Sequence, residues 1–249
     1  MIIDRPAAGD IPALRSLWQA AFGDTDSFLE GFFATGFAPE RCRCVHLGNT
    51  LAAALYWFDW TWQNKKVAYI YAVATDKAFR GQGLCRALMT DTHRHLQENG
   101  YAGACLVPGN PGLFAMYEKL GYRGFCREAL CTVTAGAPTA QPERISWEEF
   151  QRRPMPDNAL IPDGITLRFL ATFAGLYRLK DGYFAVSWES GGPVFQEFLA
   201  DPALLPGIIA TLGAQTGTVR LPGADRYFAL YLPLDGTEEL PQYPGIPLM

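Results

Sequence analysis

Arg80-Gly81-Gln82-Gly83 is the run whose residue types and spacing most plainly serve chemistry. It follows a β-prone apolar stretch, residues 67–75, and a short polar link. Behind it starts a helical pattern with Leu84, Leu88 and Met89 on one side. A strand, a glycine turn and a helix start together aim several backbone N–H groups at one anion. Gly81 and Gly83 carry no Cβ, so a phosphate can come close to the main chain. Arg80 supplies a positive charge at the rim. The pattern is that of a pyrophosphate cradle, with N–H donors at Gln82, Gly83, Leu84 and Cys85.

Two familiar phosphate loops are excluded. The dinucleotide fingerprint needs a third glycine where Arg86 stands, and the P-loop needs Lys-Ser/Thr where Leu84-Cys85 stands. The run instead resembles the Arg/Gln-x-x-Gly-x-Gly/Ala signature of the GNAT superfamily of N-acetyltransferases, with Cys85 where Gly or Ala is usual. Val73-Ala74-Thr75 also resembles the segment often found on that superfamily's splayed central strand. A second motif follows in the same order: Asn110-Pro111-Gly112-Leu113-Phe114-Ala115-Met116-Tyr117-Glu118-Lys119-Leu120-Gly121-Tyr122. Phe114, Tyr117 and Leu120 lie at helical spacing, and Gly121 suits a left-handed helix cap.

The resemblance implies acetyl-coenzyme A as acyl donor and an amine as acceptor. It places the pyrophosphate against Arg80, Gly81, Gln82, Gly83, Leu84 and Cys85, and the pantetheine arm along Val73 and Thr75 as an added strand. Asn110 takes a polar contact near that arm. The Val73 backbone N–H faces the developing oxyanion, and Tyr117 is the general acid for the departing thiolate. The base is the open position, because Tyr69-Ile70-Tyr71-Ala72 stands where many GNAT enzymes carry a strand Glu. Glu30, Asp59 and the terminal carboxylate of Met249 are the candidates, the last by analogy with the tandem group named for enhanced intracellular survival. Tyr56, Trp57, Phe58, Trp60 and Trp62 are read as sheet packing, with an acceptor slot for cations as the other reading.

Hydrophobic residues make up 49% of the 249-residue chain, enough for one large or two small cored domains. A formal net charge of −4 argues against nucleic acid as principal partner. No apolar run reaches the length of a membrane span, and Met1-Ile2-Ile3-Asp4-Arg5-Pro6 lacks a signal-peptide core, so a cytoplasmic location is expected. Cys42, Cys44 and His46 share a strand face, a conceivable ligand set, but buried reduced thiols are the expectation and no metal is assigned. His93 and His95 are read as solvated helix residues.

The expected fold class is α/β (α+β), a GNAT fold with a mixed central sheet flanked by helices and a second, smaller GNAT-like or α+β domain. Helices are expected near 10–22, 26–35, 83–99 and 112–120, and strands near 41–46, 51–62, 67–75, 102–107 and 122–133. These make a domain over 1–133, followed by a Pro-interrupted linker, 134–145. The pattern restarts over 146–249, with a capping-box start at Ser146, strands near 165–170, 175–179, 183–188 and 193–199, a helix near 202–213, and strands near 217–221 and 227–233. That region has no glycine loop, and an unrelated small cap is its alternative. The functional expectation is acetyl transfer to a primary amine of a small molecule or peptide; a non-catalytic acyl-coenzyme A sensor is the alternative. Homo-oligomerisation stays open.

Overall fold

The structure is a computed structural model that describes residues 1–138, 141–223, 226–246 and 248. Contacts divide the chain into two compact units, Met1–Gly124 with Leu230–Leu240 and Phe125–Ala229 with Pro241–Met249.

Unit 1 opens with β1 (Ile2–Asp4) and α1 (Ile11–Phe22). Pro12 sits in the first turn of α1 and Gly23 closes it in the left-handed conformation, φ 75°. Leu14, Leu17 and Trp18 form its buried stripe. Next comes α2 (Asp26–Gly31), where the Thr25 hydroxyl caps the Phe28 N–H. The expected helix over 26–35 stops being α-helical after Gly31, and Phe32–Gly36 form a wider π turn. Phe32 thereby reaches Trp18, with ring centroids 4.5 Å apart.

Strands β2 (Cys42–Leu47), β3 (Thr50–Trp62) and β4 (Lys65–Thr75) form an antiparallel meander with β1 at its edge. From β4 the chain crosses through α3 (Leu84–Glu98) to β5 (Gly103–Leu106), which pairs parallel to β4. The short helix α4 (Phe114–Glu118) follows, preceded by a 3₁₀ turn at Pro111–Leu113. Tyr56, Trp57, Phe58, Trp60 and Trp62 are all 3% exposed or less, so they are sheet packing, and of the five only Trp57 borders a cleft. Each such side chain contributes roughly 1.5–3 kcal/mol by leaving water.

Unit 2 holds β6 (Arg123–Thr134), β7 (Glu143–Arg144), α5 (Trp147–Gln151), α6 (Gly164–Leu170), β8 (Ala174–Leu179), β9 (Gly182–Glu189), β10 (Gly192–Leu199), α7 (Leu205–Thr211) and β11 (Thr216–Pro222). The strand expected over 165–170 is helix α6. Asp163 decides this: its carboxylate accepts from the Thr166 N–H at 2.7 Å and hydroxyl at 2.6 Å, and this N-cap outweighs the β-prone Ile165 and Thr166. β7, β8, β9 and β10 run antiparallel in sequence. From β10 the chain passes through α7 to β11, which pairs parallel to β10. This repeats the order of unit 1: a four-strand meander, then a helical crossover to a parallel fifth strand.

The sixth strands are exchanged. β6, which directly follows the motifs of unit 1, pairs antiparallel with β11. The last strand, β12 (Arg226–Pro233), places Leu230–Pro233 antiparallel against β5. Tyr231 lies over Gly103 so closely that a Cβ there would sit 2.1 Å from the tyrosine oxygen. No helix among the described residues is long and apolar enough to cross a membrane.

Candidate functional site

β4 separates from β5 at the point where unit 1 opens. The last β4–β5 partners are Tyr69 and Cys105. Two residues further, Tyr71 pairs with Tyr56, and then Ala74 pairs with Ala54. Ala72 and Val73 thus oppose Leu55 alone, which is a β-bulge. Ala72 takes φ 47°, a left-handed conformation costing about 1–2 kcal/mol for a residue with a Cβ. Bulge and divergence leave 71–75 with one edge unpaired by β5. Asp76 donates its N–H to the Ala52 carbonyl on the β3 side. By strand alternation, the N–H groups of Val73 and Thr75 face the other, open edge.

The glycine loop lies immediately beyond that edge. Gly81 and Gly83 are exposed, with φ of 77° and 79° and open space where a Cβ would stand. The first intrahelical bond of α3 runs from the Ala87 N–H to the Gly83 carbonyl, so the N–H groups of Leu84, Cys85 and Arg86 precede the helix ladder. Gln82 is exposed, Leu84 is buried beneath the loop, and Cys85 is half-buried. Arg80 donates its Nε–H to the Thr75 carbonyl at 3.1 Å, which joins loop to strand edge. Backbone donors, a rim cation and an unfilled approach suit a diphosphate.

Tyr117 is carried by α4 and buried. It belongs to the same buried cluster as Leu84 and Leu88, with Cys85 packed against that cluster. Burial first, and the nearby Cys85 thiol second, push its hydroxyl well above the ordinary tyrosine range. The group therefore keeps its proton at neutral pH. Its ring meets Tyr122 edge-on at 5.7 Å, and the Tyr122 hydroxyl is 2.9 Å from His93 Nε2. His93 is thus packed, not solvated: burial drops it to about 4. Asn110 is exposed, and its Oδ1 accepts from the Gly112 N–H at 3.0 Å as a cap for the turn before α4.

The structure brings Val73, Thr75, Arg80, the glycine loop, Cys85 and Tyr117 into one region of unit 1. Asp59, one of the candidate bases, lies elsewhere. Asp59 pairs opposite Ala68, five residues up β4 from Val73, about 15 Å at strand spacing. Its carboxylate accepts from the Tyr101 hydroxyl and lines a different cleft of about 430 Å³ with Arg41, Lys66 and His95. Glu30 is exposed on α2. Met249 lies outside the described residues. Three features here had no sequence signal: the bulge at Ala72, the end of pairing at Tyr69, and the Arg80–Thr75 bond. An alanine in a strand gives no hint of positive φ.

Comparison with known proteins bears on the family and the fold. The family model described as an acetyltransferase (GNAT) domain matches residues 3–125. No curated protein matches the sequence. Among solved structures, a GCN5-related N-acetyltransferase from Kribbella flavida is similar at 18% identity and TM-score 0.69, over 94% of this chain and 71% of that one. Eis1 from Mycobacterium abscessus is similar at 12% identity and TM-score 0.64, over 94% of this chain and 74% of its own. A putative acetyltransferase from Pyrococcus horikoshii is similar at 16% identity and TM-score 0.62, over 99% and 94%. At such identities these likenesses speak to the fold. The family match makes residues 3–125 a GNAT acetyltransferase domain.

Proposed function

We propose that unit 1 transfers the acetyl group of acetyl-coenzyme A directly to a primary amine of a small molecule or peptide. The observation that carries this reading is the open β4 edge at Val73 and Thr75, which leads into an exposed glycine loop, with Val73 and Cys85 packed against the cluster that holds the buried, protonated Tyr117. The donor supplies an activated thioester. Backbone N–H groups at Gln82–Cys85, with Arg80 at the rim, hold its diphosphate. Val73 and Thr75 pair with the extended arm as a strand would. The Val73 N–H stabilises negative charge on the acyl oxygen. Tyr117 gives its proton to the departing thiolate. Asn110 keeps its Nδ2 side for a polar contact, since Oδ1 serves as a cap.

The acceptor must lose a proton. For a lysine-like amine at pH 7 that costs roughly 4–5 kcal/mol. Asp59 is taken up at the other cleft, so the Met249 carboxylate and Glu30 remain our candidates for the base. We read unit 2 as a GNAT-like repeat that has lost its cradle: the β10–α7 link, Ala200-Asp201-Pro202, carries neither Arg nor a glycine pair. Tyr69-Ile70-Tyr71-Ala72, which lacks the strand Glu, favours one second reading, a non-catalytic acyl-coenzyme A sensor.

Tyr117→Phe separates the two. In an enzyme, kcat falls by about 10²-fold or more while acetyl-coenzyme A affinity stays within about twofold. Thiol release over a broad amine panel gives the rate, and calorimetry gives the affinity. A wild-type protein that binds the thioester tightly and releases no thiol with any amine is the sensor.

A further inference from the structure

A cluster of donor atoms in unit 1 takes no part in the chemistry above. Cys44 and His46 lie two apart on β2 and so share a face. Asp10 ends the 3₁₀ turn that leads into α1 and points its carboxylate at the same place. His46 Nε2 is 3.1 Å from Asp10 Oδ1, and His46 Nδ1 is 3.9 Å from Cys44 Sγ. One donor atom from each residue lies within 4.8 Å of the other two. The Asp4 carbonyl of β1 adds an oxygen 3.4 Å from Cys44 Sγ.

Because His46 meets Asp10 and Cys44 through different ring nitrogens, a set of one atom per residue spans up to 4.8 Å, somewhat wider than a coordination tetrahedron. With Zn–S of about 2.3 Å and Zn–N and Zn–O near 2.0–2.2 Å, neighbouring ligands stand roughly 3.3–3.6 Å apart. Closing this set onto a metal needs shifts of about an ångström. The surroundings also suit a cation. Cys44 is fully buried, with the Asp10 carboxylate beside it. A dication coordinated here would ionise the thiol outright.

We propose that Asp10, Cys44 and His46 bind a divalent cation of the zinc class, with water or the Asp4 carbonyl oxygen in the fourth position. A mixed sulfur, imidazole and carboxylate set selects zinc over magnesium or calcium. On binding, the metal–sulfur bond forms as the Cys44 S–H proton leaves to solvent. The site is structural: it ties β1 and the start of α1 to β2. It stands apart from the acyl-transfer groups on β4, α3 and α4. Cys42 shares the strand face but lies outside the set, with its thiol 4.0 Å from the Arg43 carbonyl.

The test uses the full chain, stripped of metal by chelator, with Zn²⁺ alone as ligand and elemental analysis after desalting. The wild type and Cys42→Ser should each retain about one equivalent, while Cys44→Ser and His46→Ala retain almost none. Asp10→Asn should weaken binding by roughly 10-fold or more. Co²⁺ should give a thiolate-to-metal charge-transfer band in the wild type and lose it in Cys44→Ser. If Cys44→Ser does not fold, His46→Ala and Asp10→Asn decide, since both sites are only half-buried. Added Zn²⁺ should also raise the melting temperature of the wild type and not that of His46→Ala. A wild-type chain that retains no zinc, or variants that retain as much as the wild type, would overturn the assignment.

Discussion

The Arg80 guanidinium donates to the Thr75 carbonyl at 3.1 Å, so the side chain at the rim of the glycine loop also holds the open strand edge. Cradle and edge are therefore registered to each other by a single bond. Arg80→Ala removes both the tether and a cation. A hydrogen bond of about 1 kcal/mol, with some charge, corresponds to roughly a 5–20-fold rise in KM for acetyl-coenzyme A and little change in kcat. Arg80→Lys should recover only part of this, because a lysine keeps the charge without the fixed donor geometry. Steady-state kinetics checks it; an unchanged KM in Arg80→Ala would remove Arg80 from the site.

Gly83→Ala separates backbone strain from occupancy of the cradle. At φ 79° the new side chain is strained, although it meets nothing within 4 Å. Stability should drop by about 1–2 kcal/mol. Affinity for acetyl-coenzyme A should fall far more, by roughly 100-fold, since the methyl group projects into the space that the diphosphate needs. Urea denaturation and calorimetry on one sample give both numbers. Equal small effects on the two would mean that nothing docks against Gly83.

His93 makes stability depend on acid. Its ordinary value of 6.5 falls to about 4 because the ring is buried beside Tyr122. The folded form prefers the neutral ring, so the unfolded chain binds the proton first as pH falls. Stability is full above pH 6.5 and declines as pH drops towards 4, by up to about 3 kcal/mol, less where water reaches the half-buried ring. In His93→Gln this part of the decline should vanish. Urea midpoints between pH 4.5 and 7.5 read the difference, and parallel curves for the two proteins would contradict it.

In unit 2 the Arg153–Glu197 pair is 1% and 0% exposed, with Nε–Oε2 at 2.6 Å. The Tyr243 hydroxyl also donates to Glu197, at 3.3 Å. Arg153→Met strands a carboxylate in the core and should destabilise by about 3–5 kcal/mol. Adding Glu197→Gln should return part of that loss, since no charge is left unpaired. A double variant as unstable as the single one would show that packing, not charge, dominates there.

Much of the site was legible because it rests on residues with few alternative uses. The glycine pair at 81 and 83 stands in open space just before α3, as the motif implied, and Tyr117 lies on the short helix that its neighbours implied. Asp59 was misplaced because a carboxylate in an aromatic strand says nothing about which end of the sheet it serves. The Tyr101 hydroxyl that satisfies it comes from 42 residues away. Helix α6 was read as a strand because Ile165 and Thr166 are β-prone, while the cap at Asp163 is a single residue. The zinc-class cluster needed Asp10, which lies 34 residues before Cys44 and shares no motif with it. The strand exchange left no trace, since β6 and β12 suit either neighbour by composition.

That exchange governs how the molecule can be made. As the chain leaves the ribosome, β5 is complete long before Leu230–Pro233 arrive to cover its edge. During that interval Gly103 has no Tyr231 above it, and an open row of amides and carbonyls awaits a partner. A gene fragment ending at residue 133 would freeze the nascent chain at this stage. Covering β5 thus depends on translating the chain at least through residue 233.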